Sequence, residues 1–232
     1  MKVQDIFKME IYKNRNDKPY LLVIAILTIM TSISTFIAVG MIENKIDGDK
    51  NMVLLVLINI FSAIGLSIFS LHYPFRLLNM DYKNKVMSLI FASGVSREKY
   101  YFVKISASIL TCLIATLVIL LVPALTFLTI YIDEFVKEMQ YFLKEFRLAD
   151  IFPLLTMLFF WLIAYYVTLT TAVIITKGKI VGILLFFGFY FVISIVQSMI
   201  GVQSFNEMTL HSIVQIIIFS LIGLTVLKKQ DL

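Results

Sequence analysis

Six long apolar runs, separated by polar segments, dominate the pattern of hydrophobic and polar positions along this chain. Each run is near or above the roughly 20 apolar residues that a helix needs to cross a bilayer. Backbone groups in hydrocarbon must find their hydrogen-bond partners within the segment, so the runs predict helices. We therefore predict an all-α, polytopic membrane protein with one transmembrane domain over residues 1–232. The predicted spans are about Tyr20–Met41, Val53–His72, Phe102–Thr126, Ile151–Thr176, Ile180–Ile200 and Thr209–Leu227.

Two polar segments carry apolar residues at helical spacing. This predicts a short amphipathic helix in the cytoplasmic interface for the first segment, with a solvated leader as the alternative, and for the second a helix that lies on the membrane or caps the bundle. The first precedes Pro19, and its face is formed by Val3, Ile6, Phe7, Glu10 and Ile11. The second lies in the predicted outer loop from Tyr131 to Asp150, and its face is formed by Phe135, Val136, Met139, Phe142, Leu143 and Phe146.

Basic residues divide unevenly between the two sides of this topology. With both termini on one side, that side holds fifteen of the 20 Lys and Arg residues: Lys2, Lys8, Lys13, Arg15, Lys18, Arg76, Lys83, Lys85, Arg97, Lys99, Lys104, Lys177, Lys179, Lys228 and Lys229. An excess of Lys and Arg marks the cytoplasmic side, so we predict that both termini are cytoplasmic. The net charge of +5 then follows from topology, and no compact basic domain predicts a nucleic-acid partner.

The inventory of reactive residues argues against an enzyme or a metal site in this chain. Cys112, the single cysteine, lies within the third span, and the two histidines, His72 and His211, lie near span ends. No acidic or basic residue lies deep within a span, which disfavours ion-coupled transport. No G-x-x-x-x-G-K-[ST] sequence is present to cradle ATP phosphates. We therefore expect no catalytic residue, cofactor or metal here.

Several polar residues do lie deeper in the predicted spans. Asn59, Gln197 and Gln215 are expected to form hydrogen bonds between helices, which is the ordinary role of such residues in membranes. A run of Tyr and Thr residues in span four, Tyr165 to Thr171, is compatible either with helix packing or with a polar strip along a pathway.

The segment from Asp81 to Lys104 is too polar to lie in lipid and too patterned for a passive loop. We expect the second span to break up at Pro74, before this segment begins. Gly94 then marks a turn, and Ser96 is placed to cap the next helix. Between these points lies an apolar cluster formed by Val86, Met87, Leu89, Ile90 and Phe91. A short helix with an apolar face, bounded by turns, predicts a docking surface for a partner protein.

This segment resembles the cytosolic loop of ABC-2 type transporter permeases. In that family an acidic residue opens the loop, followed by a leucine-rich stretch, a "P-V-S-R" turn and a lysine at the head of the next helix. The matching positions here are Asp81, Ser88-Leu89-Ile90, Gly94-Val95-Ser96-Arg97 and Lys104. Gly94 replaces the usual proline, and Lys85 stands where glycine is common. The six-span layout and the amphipathic amino-terminal segment also fit the family.

The resemblance implies that residues 81–97 form a coupling helix seated in a groove of a separate ATPase subunit, which would bind the ATP and Mg²⁺. The residues implied in this contact are Asp81, Lys83, Val86, Met87, Leu89, Ile90, Phe91 and Arg97. A second permease copy, identical or similar, would complete the pathway within the membrane lipid. Small six-span permeases of this kind are similar to those of bacteriocin-immunity systems and of the staphylococcal exporters of phenol-soluble modulins. That similarity implies export of amphipathic toxin or antimicrobial peptides across a bacterial plasma membrane.

Other functions remain open from the residues alone. A lipid or an antibiotic could use the same path as a peptide. A non-transporting sensor or scaffold would dock a cytosolic partner through the same loop. A small channel would conduct without an ATPase, although the spans lack pore-lining charge.

Overall fold

The computed structural model describes residues 3–42, 48–130, 132, 148–202 and 204–230, and every regular element in these ranges is a helix. In chain order the helices are α1 (Val3–Arg15), α2 (Lys18–Ile42), α3 (Gly48–Lys83), α4 (Val86–Ala92), α5 (Arg97–Ile130), α6 (Leu148–Ile175), α7 (Val181–Ile200) and α8 (Phe205–Lys229). Six of them, α2, α3 and α5–α8, are long and apolar enough to cross a membrane. The prediction of an all-α polytopic membrane protein is confirmed.

The short amphipathic helices have different outcomes. The amino-terminal helix is present as α1, with Ile6 and Glu10 buried and Phe7 half-buried on its predicted face. Pro19 occupies the first turn of α2, where its missing N–H has no partner to lose. The predicted outer helix between Tyr131 and Asp150 lies almost entirely outside the described residues.

Helix α3 continues past the point where the sequence predicted a break. It runs through Pro74 to Lys83, so the expectation that span two breaks up at Pro74 is wrong. A proline inside a helix costs about 3 kcal/mol because it removes one hydrogen bond and crowds the preceding turn. Here Phe75 and Leu78, both buried, pack against Val173 of α6, and that apolar burial offsets the cost. Asp81 therefore lies in the last turn of a long helix.

The described chain forms two compact units. The first comprises Met1–Tyr12, His72–Leu110 and Arg147–Leu232, and α6 is its central helix, packed against α7 and α8. The Thr171 hydroxyl donates to the Phe219 carbonyl of α8 at 2.9 Å. Gly223 allows this close approach, because a Cβ at that position would lie 2.7 Å from the Thr171 Oγ1 atom.

The second unit comprises Lys13–Leu71 and Thr111–Phe146. Side-chain hydrogen bonds join α2 to α5 at two levels. The Tyr20 hydroxyl donates to the Thr111 carbonyl at 3.0 Å, and the Thr31 hydroxyl donates to the Ile119 carbonyl at 3.2 Å. These side-chain bonds to backbone oxygens fix the register of α2 on α5 where lipid offers no alternative partner.

Candidate docking site

The short helix α4 lies between two backbone turns that have positive φ angles. Lys85, at its amino-terminal end, has a φ of 55°, and Gly94, after its carboxyl end, has a φ of 85°. At both positions this sequence departs from the pattern of ABC-2 type permeases that it resembles. The φ angles show which residues each position can accommodate. A glycine would suit the left-handed conformation at position 85. Proline, locked near −65°, could not adopt the conformation of Gly94, so this chain makes a different turn here.

The apolar cluster of α4 divides between two faces. Met87 and Ile90 are 1% and 6% exposed, so they pack within this chain, and Val86 and Phe91 are half-buried. Leu89 points the other way and is 69% exposed. In this conformation Met87 and Ile90 cannot present their side chains to a partner, so they hold α4 in place. Leu89 is the large apolar residue that α4 offers to one.

A buried ion cluster holds together the helices on either side of α4. Lys104 of α5 forms ion pairs with Glu10 of α1, at 2.5 Å, and with Asp81 of α3. The Tyr100 hydroxyl donates to the same Asp81 oxygen at 2.9 Å. All four residues are at most 2% exposed. The cluster therefore ties three helices together at the point where α3 ends and α5 begins.

This placement changes the role assigned to Asp81. The family resemblance implies that Asp81 takes part in the contact with the ATPase subunit, whereas in this structure its side chain is fully enclosed by its own chain. Removing one member of such a buried group strands the others without compensation, which is far costlier than losing a surface pair. Asp81 positions α4 through α3.

Arg97 has a second anchoring role at the opposite end of α4. One of its guanidinium nitrogens, Nη1, donates to three backbone carbonyls at the end of α8, those of Leu227 at 2.5 Å, Lys228 at 2.7 Å and Gln230 at 3.0 Å. The last carbonyls of a helix have no partner within it, and a cation there also offsets the helix dipole. The guanidinium lies 5.5 Å from the centre of the Phe91 ring. Arg97 thus fastens the α4–α5 corner to α8.

Further hydrogen bonds bring other helix ends to this corner. The Tyr82 hydroxyl donates to Gln230 Oε1 at 3.0 Å, and Gln230 Nε2 donates to the Ile174 carbonyl of α6 at 2.7 Å. The end of α3, the end of α6, the start of α5 and the end of α8 therefore meet. The predicted topology puts all four on the same side of the membrane, and this geometry agrees with it. Which side is cytoplasmic stays a prediction from the charge bias.

Lys83, the last of the predicted contact residues, and the turn after α4 complete the site. Lys83 is exposed beside α4, and Val95 is buried within the turn. Ser96 caps α5 as predicted, accepting the backbone N–H of Lys99 at 3.4 Å.

Sequence reasoning missed the ion cluster, although one signal was visible. Glu10 falls among apolar residues on the predicted inner face of α1, and a buried carboxylate requires a charged partner. The sequence marks Lys104 only as the head of the third span, and nothing in the spacing of three distant segments joins it to Glu10 and Asp81. The pairing is a property of the tertiary fold.

The deeper polar residues mostly bond between helices, as expected. Gln215 of α8 donates to the Thr168 hydroxyl of α6 at 2.9 Å, and Gln197 of α7 lies 3.1 Å from Nδ1 of His211. Asn59 differs, because its amide bonds to the Leu55 carbonyl of its own helix and the side chain faces outward. The buried threonines of span four, Thr168, Thr170 and Thr171, serve packing in this structure.

An apolar crevice of about 730 Å³ lies between α7 and α8. Its walls are mainly aliphatic and aromatic side chains such as Val192, Ile218 and Phe219, and its polar lining residues are Glu207, His211 and Gln215. The crevice suits an apolar or amphipathic ligand.

Comparisons of the chain with family models, with curated proteins and with solved structures gave no match.

Replacing Arg97 by alanine should loosen the end of α8. The charge-assisted hydrogen bonds of Nη1 to the end of α8 disappear. Nη1 shares its two hydrogens among the three carbonyls, so the loss is that of about two such bonds, each contributing about 1.5–3 kcal/mol. We expect amide hydrogen exchange in residues 226–230 to accelerate about tenfold or more, measured by mass spectrometry on the purified full chain. Arg97→Lys is the matched control. It keeps the charge but lacks the planar fork, so it should give an intermediate rate. Unchanged exchange in Arg97→Ala would show that other contacts hold this end.

Proposed function

We propose that this chain is the membrane permease subunit of an ABC-2 type exporter, driven by a separate ATP-binding subunit and exporting amphipathic peptides across a bacterial plasma membrane. The observation that carries the proposal is the construction of α4. It is a short helix with one large apolar residue, Leu89, turned outward, and it is fixed at both ends to membrane-spanning helices.

This construction suits the transfer of force from a cytosolic partner. A push on α4 passes directly along the chain into α3 and α5, because only short turns separate the three helices. The cluster of Asp81, Lys104 and Glu10 makes the ends of α3 and α5 and helix α1 respond together. The hydrogen bond of Arg97 to the Leu227 carbonyl couples the end of α8 to the same group of helix ends. ATP-driven closure of the partner would then move these helix ends as one body, a rocking motion typical of domain switching.

The uneven coverage of the spans supports a second permease copy. We compare the fraction of residues buried within the chain in the most apolar stretch of each helix. It is 56% for α6, 11% for α3 and 6% for α7. Asn59 lies on the exposed surface of α3, where its amide donates within its own helix and its side-chain oxygen would need a further partner if it faced hydrocarbon. A neighbouring permease or a solvated pathway would supply that partner, while lipid covers the remaining apolar surface.

An amphipathic peptide is the cargo that the apolar surfaces favour. The chain holds 20 Phe and 11 Met, flexible and aromatic side chains that can re-pack around a helix. The crevice between α7 and α8 combines an apolar wall with a few polar groups, which matches a ligand of the same mixed character.

The proposal is tested by capture followed by reconstitution. Affinity-tagged full chain is purified from its native membrane, and bound proteins are identified by mass spectrometry. The complex is then reconstituted in vesicles, and ATP hydrolysis is measured with an amphipathic helical peptide of about 20–30 residues. A scrambled peptide of the same composition, without an apolar face, is the matched control. We expect a co-purified ATP-binding-cassette subunit and hydrolysis that only the amphipathic peptide stimulates.

Each alternative gives a distinct result. A captured ATPase that ignores both peptides would contradict the peptide cargo and favour a lipid or an antibiotic. Capture of a kinase in place of an ATPase would favour the sensor. Ion conductance by the chain alone would favour the channel.

A further inference from the structure

A groove of about 870 Å³ lies between α1 and the first two turns of α5, apart from the docking face of α4. Its apolar lining includes Phe7 of α1 and Phe102 and Val103 of α5. Phe102 is 51% exposed, so the groove has an open aromatic wall. The amphipathic helix α1 is predicted to lie at the membrane surface, which places this groove at the level of the lipid headgroups.

The charge around the groove is positive. Lys8 of α1 and Lys99 of α5 line it, and neither has a carboxylate partner among the residues that the structure describes. Glu98 is the acidic residue in the lining, and its carboxylate is paired with Lys228 at 2.5 Å. The two lysines therefore give the groove a positively charged rim that would attract an anionic group.

The polar and apolar parts follow one another along α5. Lys99, Phe102, Val103 and Ser106 recur at helical spacing, so they share one face. From Lys99 to Ser106 this face extends about 10 Å, at 1.5 Å per residue. Lys99 lies in the first turn of α5, near the predicted cytoplasmic surface, and Phe102 and Val103 lie deeper. A ligand here would have a negatively charged head followed by an apolar chain.

We infer that this groove binds one anionic phospholipid of the cytoplasmic leaflet, with its phosphate between Lys8 and Lys99 and an acyl chain against Phe7 and Phe102. The inference does not depend on the proposed transport function, because it rests on a different surface and different residues. Bound lipid would fasten α1 to α5 from the membrane side, next to the ion pair of Glu10 with Lys104 that joins the same two helices within the protein.

Native mass spectrometry of the full chain in detergent tests this inference. The protein is titrated with phosphatidylglycerol and, separately, with phosphatidylcholine of the same acyl chains. We expect one tightly retained phosphatidylglycerol and a clear preference over phosphatidylcholine. Because each basic residue near an anionic surface contributes measurably, Lys8→Gln combined with Lys99→Gln should weaken phosphatidylglycerol retention about tenfold or more. The double variant Lys177→Gln/Lys179→Gln removes two charges from another predicted cytoplasmic turn and should bind like the wild type.

Additional measurements distinguish lipid binding at this site from binding of a soluble phosphate and from general surface charge. Glycerol 3-phosphate at millimolar concentration should not displace the lipid, since it lacks the acyl chain; displacement would mean a site for a soluble phosphate. Phe102→Ser should weaken retention and Phe102→Leu should restore it. Equal losses in the two lysine pairs would reduce the effect to general surface charge and overturn the site. The melting temperature of each variant, read from exposure of Cys112, verifies folding.

Discussion

Replacing Lys104 by methionine is expected to lower the stability of the chain more than any other single change proposed for it. Methionine keeps much of the lysine volume but removes the ammonium that pairs with the carboxylates of both Glu10 and Asp81. Breaking a buried ion pair in this way costs about 3–5 kcal/mol. We expect a fall in Tm on the order of 10 °C. Cys112 is buried and is the single cysteine, so a thiol-reactive fluorescent dye reports unfolding directly.

Two controls identify the cause of this loss. Lys228→Met removes an ammonium from an ion pair whose side chains are more than half exposed, so solvent already screens it and Tm should hardly change. The triple variant Glu10→Gln/Asp81→Asn/Lys104→Met removes every charge of the cluster and should recover part of the lost stability. A Tm for Lys104→Met equal to that of the wild type would show that other contacts hold α1, α3 and α5 together.

Replacing Leu89 by aspartate is expected to abolish capture of the ATP-binding subunit while the chain stays folded. Leu89 is 69% exposed, so the change removes no interior packing. In the complex it would replace an apolar anchor with a charge that must be desolvated, and the loss of such an anchor typically exceeds 2 kcal/mol, or about 30-fold in affinity. Co-purification with the ATP-binding subunit is the readout, together with Tm.

Comparison with two other positions makes the experiment specific. Ile90→Asp places a charge where the side chain is 6% exposed, so both Tm and capture should fall. Ile180→Asp alters an aliphatic residue that is 76% exposed, similar to Leu89, in the turn between α6 and α7 on the same predicted side, and should affect neither Tm nor capture. Normal capture by Leu89→Asp would rule out α4 as the contact.

The membrane architecture was predictable from local pattern because each span is a continuous apolar run that lipid alone requires to be helical. The extension of α3 beyond Pro74 was not. It depends on Phe75 and Leu78 meeting Val173, a contact between residues about one hundred positions apart in the chain. Local propensity favoured a break, and tertiary packing prevailed.

The candidate site shows the same division. The position of α4 and the cap at Ser96 followed from turn and capping signals. The orientation of α4 did not, because five of its seven residues are large and apolar, so periodicity offers no contrast between the faces. Only the structure distinguishes Leu89, turned outward, from Met87 and Ile90, turned inward. The partner of Glu10 could not be predicted from any local pattern either, because Lys104 lies in a distant segment of the chain.

The attachment of Arg97 to the end of α8 has a consequence for biosynthesis. Arg97 and its first partner, the Leu227 carbonyl, are 130 residues apart in the chain. During translation, α4 and the start of α5 leave the ribosome before the last three spans have been made, and domains generally fold as their parts emerge. The corner that carries α4 is therefore completed only after the sixth span. A chain that stops earlier would lack the contacts between Arg97 and α8, so complete anchoring of α4 would mark chains translated through span six.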